Sequence, residues 1–183
     1  ARRRPPVGTP AAAAPVRDTG PVEMVLVGSS TGGPAALTTF VGSLSGPLPV
    51  PVLVTQHMPP LFTRQLAARL ERVGASTVVE AGDGVPLAPG QVYVAPGGRH
   101  LEVVGSRGAW RTRLSDAPAV HFCRPSVDVM LDSAARAVGA RHLLVVVLTG
   151  MGADGARGAA RIARGGGRVI VQDEATSVVW GMP

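Results

Sequence analysis

The sequence contains no lysine, a single cysteine and few aromatic residues. One cysteine, Cys123, excludes an internal disulfide framework and any multi-cysteine zinc or iron–sulfur site. Aromatics at 3% leave the core to Val, Leu and Ala, and remove the stacking platforms that single-stranded nucleic-acid binders use. No apolar run approaches the roughly 18 residues that a membrane-spanning helix needs, so no membrane insertion is expected. With lysine absent, every basic group is a guanidinium. The net charge of +6 is uneven: half of it comes from Arg2, Arg3, Arg4 and Arg17 against Asp18. A body this weakly charged carries no electrostatic footprint for nucleic acid.

What is present fits one domain of 183 residues, 45% of them hydrophobic. Residues 1–21 are dominated by Pro, Ala and Gly, with no apolar period, and read as an interdomain linker. From Glu23 the pattern changes. Met24-Val25-Leu26-Val27, Pro51-Val52-Leu53-Val54-Thr55 and Leu143 to Leu148 are continuous apolar runs, as expected of strands covered on both faces. Gly33 to Val41, Leu61 to Val73, Ser126 to Val138 and Gly155 to Ala163 read as helices, and Arg168 to Val171 as a further strand. Val78-Val79, Gln91 to Ala95, Leu101 to Val104 and Trp110 to Arg113 are short, separated by Gly and Pro, and read as hairpin strands. Strands alternating with helices predict an α/β fold: a doubly wound, mostly parallel sheet flanked by helices, with a β-hairpin insertion near residues 90–113.

Three loops follow three of these strands: Gly28-Ser29-Ser30-Thr31-Gly32-Gly33, Thr55-Gln56-His57-Met58-Pro59-Pro60 and Thr149-Gly150-Met151-Gly152-Ala153-Asp154-Gly155. In a parallel sheet the carboxyl ends of strands share one edge, where ligand crevices open. Ser30, His57 and Asp154 can therefore meet although they are distant in sequence. A serine hydroxyl is a weak nucleophile without a base. An imidazole, which titrates near 6.5, can take its proton, and a carboxylate can hold the imidazole's tautomer and stabilise the imidazolium. The backbone N–H of Thr31 and that of Met151 are candidate oxyanion donors. Gly32 and Gly33 let a substrate approach the backbone. Each residue alone has a plainer reading: Ser30 or Asp154 as a helix cap, His57 as a loop histidine. The glycine-rich turn also resembles a phosphate cradle, which keeps open a phosphate- or nucleotide-binding domain using Gly28–Gly33. It matches neither G-x-G-x-x-G nor a Walker A pattern. A non-catalytic receptor-docking domain is a third possibility.

His121-Phe122-Cys123-Arg124-Pro125 is the other polar cluster. His121 with Cys123 is a two-ligand set with no partner motif, a poor metal site. No metal and no cofactor are expected, and Cys123 reads as buried and inert. Arg124 is placed at the rim of a substrate site or in a surface ion pair.

The stretches GSSTGGPAAL, VLVTQHMPPLFTRQLAARL, VYVAPGGRHLEV, HFCRPSVDVML, VVVLTGMGADGARG and GGGRVIVQDEATSVVWGMP occur in this order. Together they resemble the catalytic domain of the bacterial chemotaxis protein-glutamate methylesterases, the CheB type. The resemblance covers nearly all of residues 24–183. It implies hydrolysis of glutamyl methyl esters on the cytoplasmic regions of methyl-accepting chemoreceptors, with methanol released, and a related deamidation of receptor glutamines. It assigns the nucleophile to Ser30, the histidine to His57, the aspartate to Asp154 and oxyanion stabilisation to Thr31 and Met151. It also implies an upstream phosphorylatable receiver domain joined through residues 1–21, a catalytic domain over 22–183, and work in the cytoplasm. The chain has Ala153 where the family commonly has Asn and Ser29 where it often has Ala, and it ends at Pro183 where the family continues through a further helix and sheet material.

Overall fold

Continuous apolar runs need cover on both sides, and the computed structural model, which describes residues 20–183, supplies it. Strands β1 (Met24–Ser29), β2 (Val52–Gln56), β3 (Thr77–Glu80), β4 (Gln91–Val94), β7 (Leu143–Val147) and β8 (Arg168–Val171) form one six-stranded sheet. Its order is β3-β4-β2-β1-β7-β8, and every pairing is parallel. The helices are α1 (Gly33–Gly42), α2 (Pro60–Val73), α3 (Val127–Val138) and α4 (Ala156–Arg164). No helix among the described residues is long and apolar enough to cross a membrane.

Alternate residues of each inner strand serve opposite faces. Val25, Val27 and Val54 pack with Leu37 and Val41 of α1 and Leu66 and Leu70 of α2. Met24, Leu26 and Leu53 pack with Met130 and Leu131 of α3 and Ile162 of α4. Each such side chain removed from water contributes about 1.5–3 kcal/mol. Burial on both faces is what makes these runs read as unbroken rather than alternating.

The antiparallel insertion is β5 (His100–Val104) with β6 (Arg111–Ser115), whose Leu101 and Val103 face the α3 side. The structure corrects its expected extent. Thr77–Glu80 and Gln91–Val94 are not hairpin strands but neighbours in the parallel sheet. Parallel neighbours need a crossover, usually a helix. Here residues 81–90 make an irregular one, satisfied by bonding to the hairpin: Gly84 N–H donates to Thr112 O at 3.0 Å, Thr112 N–H to Val85 O at 2.9 Å and Leu87 N–H to Trp110 O at 2.9 Å. A crossover without helical period leaves no trace in the apolar pattern. The linker expected over residues 1–21 lies outside the described residues except for Gly20 and Pro21.

The chain leaves β1 towards β2 on one side and returns to β7 on the other. That reversal opens a crevice at the carboxyl ends of β1 and β7.

Candidate active site

The three loops meet at that crevice, and their contacts are tight because small residues line them. Ser30 directly follows β1. Its N–H donates to Thr149 O at 3.0 Å, and its carbonyl accepts from Gly33 N–H at 2.8 Å and Gln56 Nε2 at 2.9 Å. A Cβ added to Gly150 would overlap the Met182 sulfur and lie 2.8 Å from Ser30 Cβ. The third loop thus reaches Ser30 only because residue 150 is glycine. The Ser30 side chain itself makes no hydrogen bond among the described residues and does not touch His57 through one. Ser30 N–H and Gly33 N–H are both used inside the protein, so neither is offered to a phosphate.

Gln56 ties the first loop to the second, a role with no local signature in the residue pattern. It is 2% exposed. Its Nε2 donates to Ser30 O at 2.9 Å and His57 O at 3.0 Å, and its Oε1 accepts from Ser29 Oγ at 2.8 Å. His57 N–H also donates to Ser29 O at 3.1 Å. A side chain at Gly33 would overlap the Gln56 amide. The glycine is required there by this approach rather than by a substrate.

His57 and Asp154 form the expected pair: Nε2 stands 2.7 Å from Oδ2. Asp154 is 2% exposed and seated on the amino end of α3. Its Oδ1 accepts from Ser126 Oγ at 2.8 Å and Asp128 N–H at 3.0 Å, and its Oδ2 accepts also from Val127 N–H at 2.7 Å. Burial pushes its pKa up, but the bonds from His57, Asp128 N–H, Val127 N–H and Ser126 prevail and hold it below the ordinary carboxylate value. An ionised carboxylate only accepts, so Nε2 carries the ring proton and Nδ1 is left with the lone pair. The sequence pattern marks Ser126 only as the start of a helix; the structure makes it the cap of α3, accepting from Val129 N–H. Its second task, bonding Asp154, has no mark in that pattern, because that contact joins loops 28 positions apart.

The backbone N–H groups of Thr31 and Met151 have no acceptor among the described residues. Both residues are exposed at the crevice mouth. Gly32, at φ +83, caps α1 beside Thr31.

Cys123 is placed differently from expectation. His121 and Phe122 both have positive φ, 50 and 60, and Val120 and Cys123 exchange backbone hydrogen bonds of 2.9 and 3.1 Å across them. This is a two-residue turn of the kind that needs left-handed backbone at both centres. It leaves Phe122 wholly exposed and turns the half-buried Cys123 inward, with Sγ 3.5 Å from His57 Nδ1. Burial first, then the Asp154 charge, raise the thiol's pKa, so it is protonated at neutral pH. His121 goes elsewhere, to Asp128 at 3.1 Å. Arg124 is exposed and its Nη1 donates to the carbonyls of Asp116 at 3.0 Å and Ala117 at 3.3 Å, with no carboxylate partner among the described residues. Its side chain, with His57, Met58, Cys123 and Pro125, lines a groove of about 400 Å³ leading to the imidazole.

The family model described as CheB methylesterase matches residues 25–183. A protein-glutamate methylesterase/protein-glutamine glutaminase of Nocardioides sp. is 56% identical over 160 residues, covering 87% of this chain and 43% of that protein. One from Caulobacter vibrioides is 50% identical over 187 residues, 100% of this chain and 54% of its own length. The chain thus spans about half the length of these curated relatives. The crystal structure of the Thermotoga maritima CheB methylesterase catalytic domain superposes with a TM-score of 0.85 at 43% identity, over 88% of this chain and 85% of that one. The chain belongs to the CheB methylesterase family.

Proposed function

We propose that this chain is the catalytic part of a protein-glutamate methylesterase, acting on glutamyl methyl esters in the cytoplasmic regions of chemoreceptors and deamidating receptor glutamines. The observation that carries the reading is the 2.7 Å His57–Asp154 pair standing at the same sheet edge as Ser30. Family membership supplies the substrate class, since the relatives bear those two activities in their names. Residues 22–183 are then the methylesterase domain. The Pro- and Ala-rich residues 1–21 are the end of a linker from a phosphorylatable receiver domain.

Ser30 Oγ attacks the ester carbonyl and gives its proton to His57 Nδ1, the ring nitrogen with the lone pair. Asp154 stabilises the imidazolium through Nε2. The carbonyl oxygen, now an anion, takes hydrogen bonds from Thr31 N–H and Met151 N–H, which have no competing acceptor. His57 returns the proton to the departing methoxide and methanol leaves. Water then attacks the acyl-serine with His57 as base, and Glu and free Ser30 are restored. With glutamine the departing group is ammonia. Catalytic hydrogen bonds open in a free enzyme tighten when substrate enters, which accounts for a Ser30 hydroxyl not yet on His57. Gly32 borders the oxyanion position, and Arg124 sits on the groove that receives the receptor segment.

The test is methanol release from methylated receptor. Wild type releases methanol. Ser30→Ala does not, while its unfolding free energy stays within about 0.5 kcal/mol, since the hydroxyl bonds nothing among the described residues. Full activity in Ser30→Ala refutes the mechanism.

A further inference from the structure

We propose that Cys123 and His57 together bind a thiophilic divalent cation of the Zn2+ class, and that the ion shuts off hydrolysis by occupying the lone pair of the general base. The inhibition rests on the function proposed above; the binding does not.

The first support is the bite. Cys123 Sγ and His57 Nδ1 are 3.5 Å apart. Zinc bonds of about 2.3 Å to sulfur and 2.0–2.1 Å to nitrogen, opened to the tetrahedral angle, span about 3.5–3.6 Å. The separation of the two atoms matches that of two ligands sharing one ion. The second support is the far side of the imidazole. A metal-bound histidine ordinarily donates its other N–H to a carboxylate, which fixes the tautomer and raises ligand basicity. His57 Nε2 already does so towards Asp154 at 2.7 Å. Asp154 is in turn held by Ser126 Oγ, Val127 N–H and Asp128 N–H. Third, ligand atoms of Cys123, His57 and Asp154 all lie within 4.8 Å of one another, so the buried carboxylate adds negative potential where the cation would sit. Fourth, the groove of about 400 Å³ lined by His57 and Cys123 gives access from solvent and leaves the remaining coordination positions to water.

The exchange balances simply. The S–H bond of Cys123 breaks, a sulfur–metal bond forms, and the proton leaves to solvent. Nδ1 gives its lone pair to the metal and can no longer take the Ser30 proton. The turn through His121 and Phe122, both at positive φ, is the device that aims the sulfur.

Cd2+ reports thiolate coordination through its ultraviolet charge-transfer absorption, independently of catalysis. Wild type gives a saturable signal. Cys123→Ser loses it, since no other thiol exists. His57→Gln keeps the thiol and weakens binding by at least about tenfold; equal affinity in that variant overturns the paired site. Zn2+ inhibits wild-type ester hydrolysis reversibly with EDTA, and Cys123→Ser needs at least about tenfold more Zn2+ for half-inhibition of its own metal-free rate. Equal sensitivity of the two overturns the regulatory claim. A wild type that hydrolyses no ester refutes the proposed function instead, and the Cd2+ titration alone then decides the metal pair.

Discussion

Asp154 is asked to do two things at once, and Asp154→Asn separates them from a purely structural role. The carboxylate accepts four hydrogen bonds, from His57 Nε2, Ser126 Oγ, Val127 N–H and Asp128 N–H. Asparagine is isosteric but has one acceptor oxygen and one donor group. With its NH2 in the Oδ2 position, it opposes Val127 N–H and the proton on Nε2. With its NH2 in the Oδ1 position, it opposes Asp128 N–H, and only Ser126 can rotate to accept. Either way a buried backbone N–H loses its acceptor and the charge that strengthened the remaining bonds is gone. Hydrogen bonds to a charged group contribute about 1.5–3 kcal/mol each, so the variant loses about 3–5 kcal/mol of stability. Turnover falls by about 10⁴-fold because the imidazole loses its tautomer and its counter-charge. Urea unfolding measures the first effect and methanol release the second. Ser126→Ala is the calibrating variant: it removes one donor, costs about 1.5 kcal/mol and keeps most of its turnover. An Asp154→Asn protein that unfolds at the wild-type urea midpoint refutes the claim that this carboxylate anchors α3 as well as His57.

Gln56→Leu leaves the buried Ser29 Oγ and the His57 carbonyl without these partners; it costs about 2–4 kcal/mol by urea unfolding and slows methanol release, and a neutral effect on both would remove Gln56 from the site's framework. Gly150→Ala drives a methyl into the Met182 sulfur and Ser30 Cβ, an overpacking cost of about 1–3 kcal/mol, with turnover reduced because Met151 N–H is carried off the oxyanion position; unchanged kcat would show that this loop does not serve the reaction. Because Asp154's folded pKa is lowered, its stabilising contribution is complete above the ordinary aspartate value of about 3.9. It is lost as pH falls through that value towards the folded one. Stability of wild type relative to Asp154→Ala, followed by urea unfolding, therefore narrows on acidification, and a gap that widens would contradict the sign.

The apolar runs at Met24–Val27, Val52–Thr55 and Leu143–Leu148 carried their own meaning, because burial on both faces requires every residue of a strand to be apolar. Placing Ser30, His57 and Asp154 at one edge needed only that those runs be parallel, since a parallel sheet brings all its strand ends to one rim. The local pattern could not decide what lies between strands. The crossover at 81–90 has no period of its own and is stabilised by bonds to β6, so β3 and β4 looked like hairpin strands. Nor could it decide which polar groups answer one another across the rim. Gln56 holding Ser30 and His57 together, Ser126 and the α3 amides holding Asp154, and Cys123 set on Nδ1 in place of the Ser30 hydroxyl are contacts between distant loops. Sequence fixes periodicity, which is local; partner choice depends on which ends the packed sheet brings within about 3 Å, and only the assembled tertiary structure sets that.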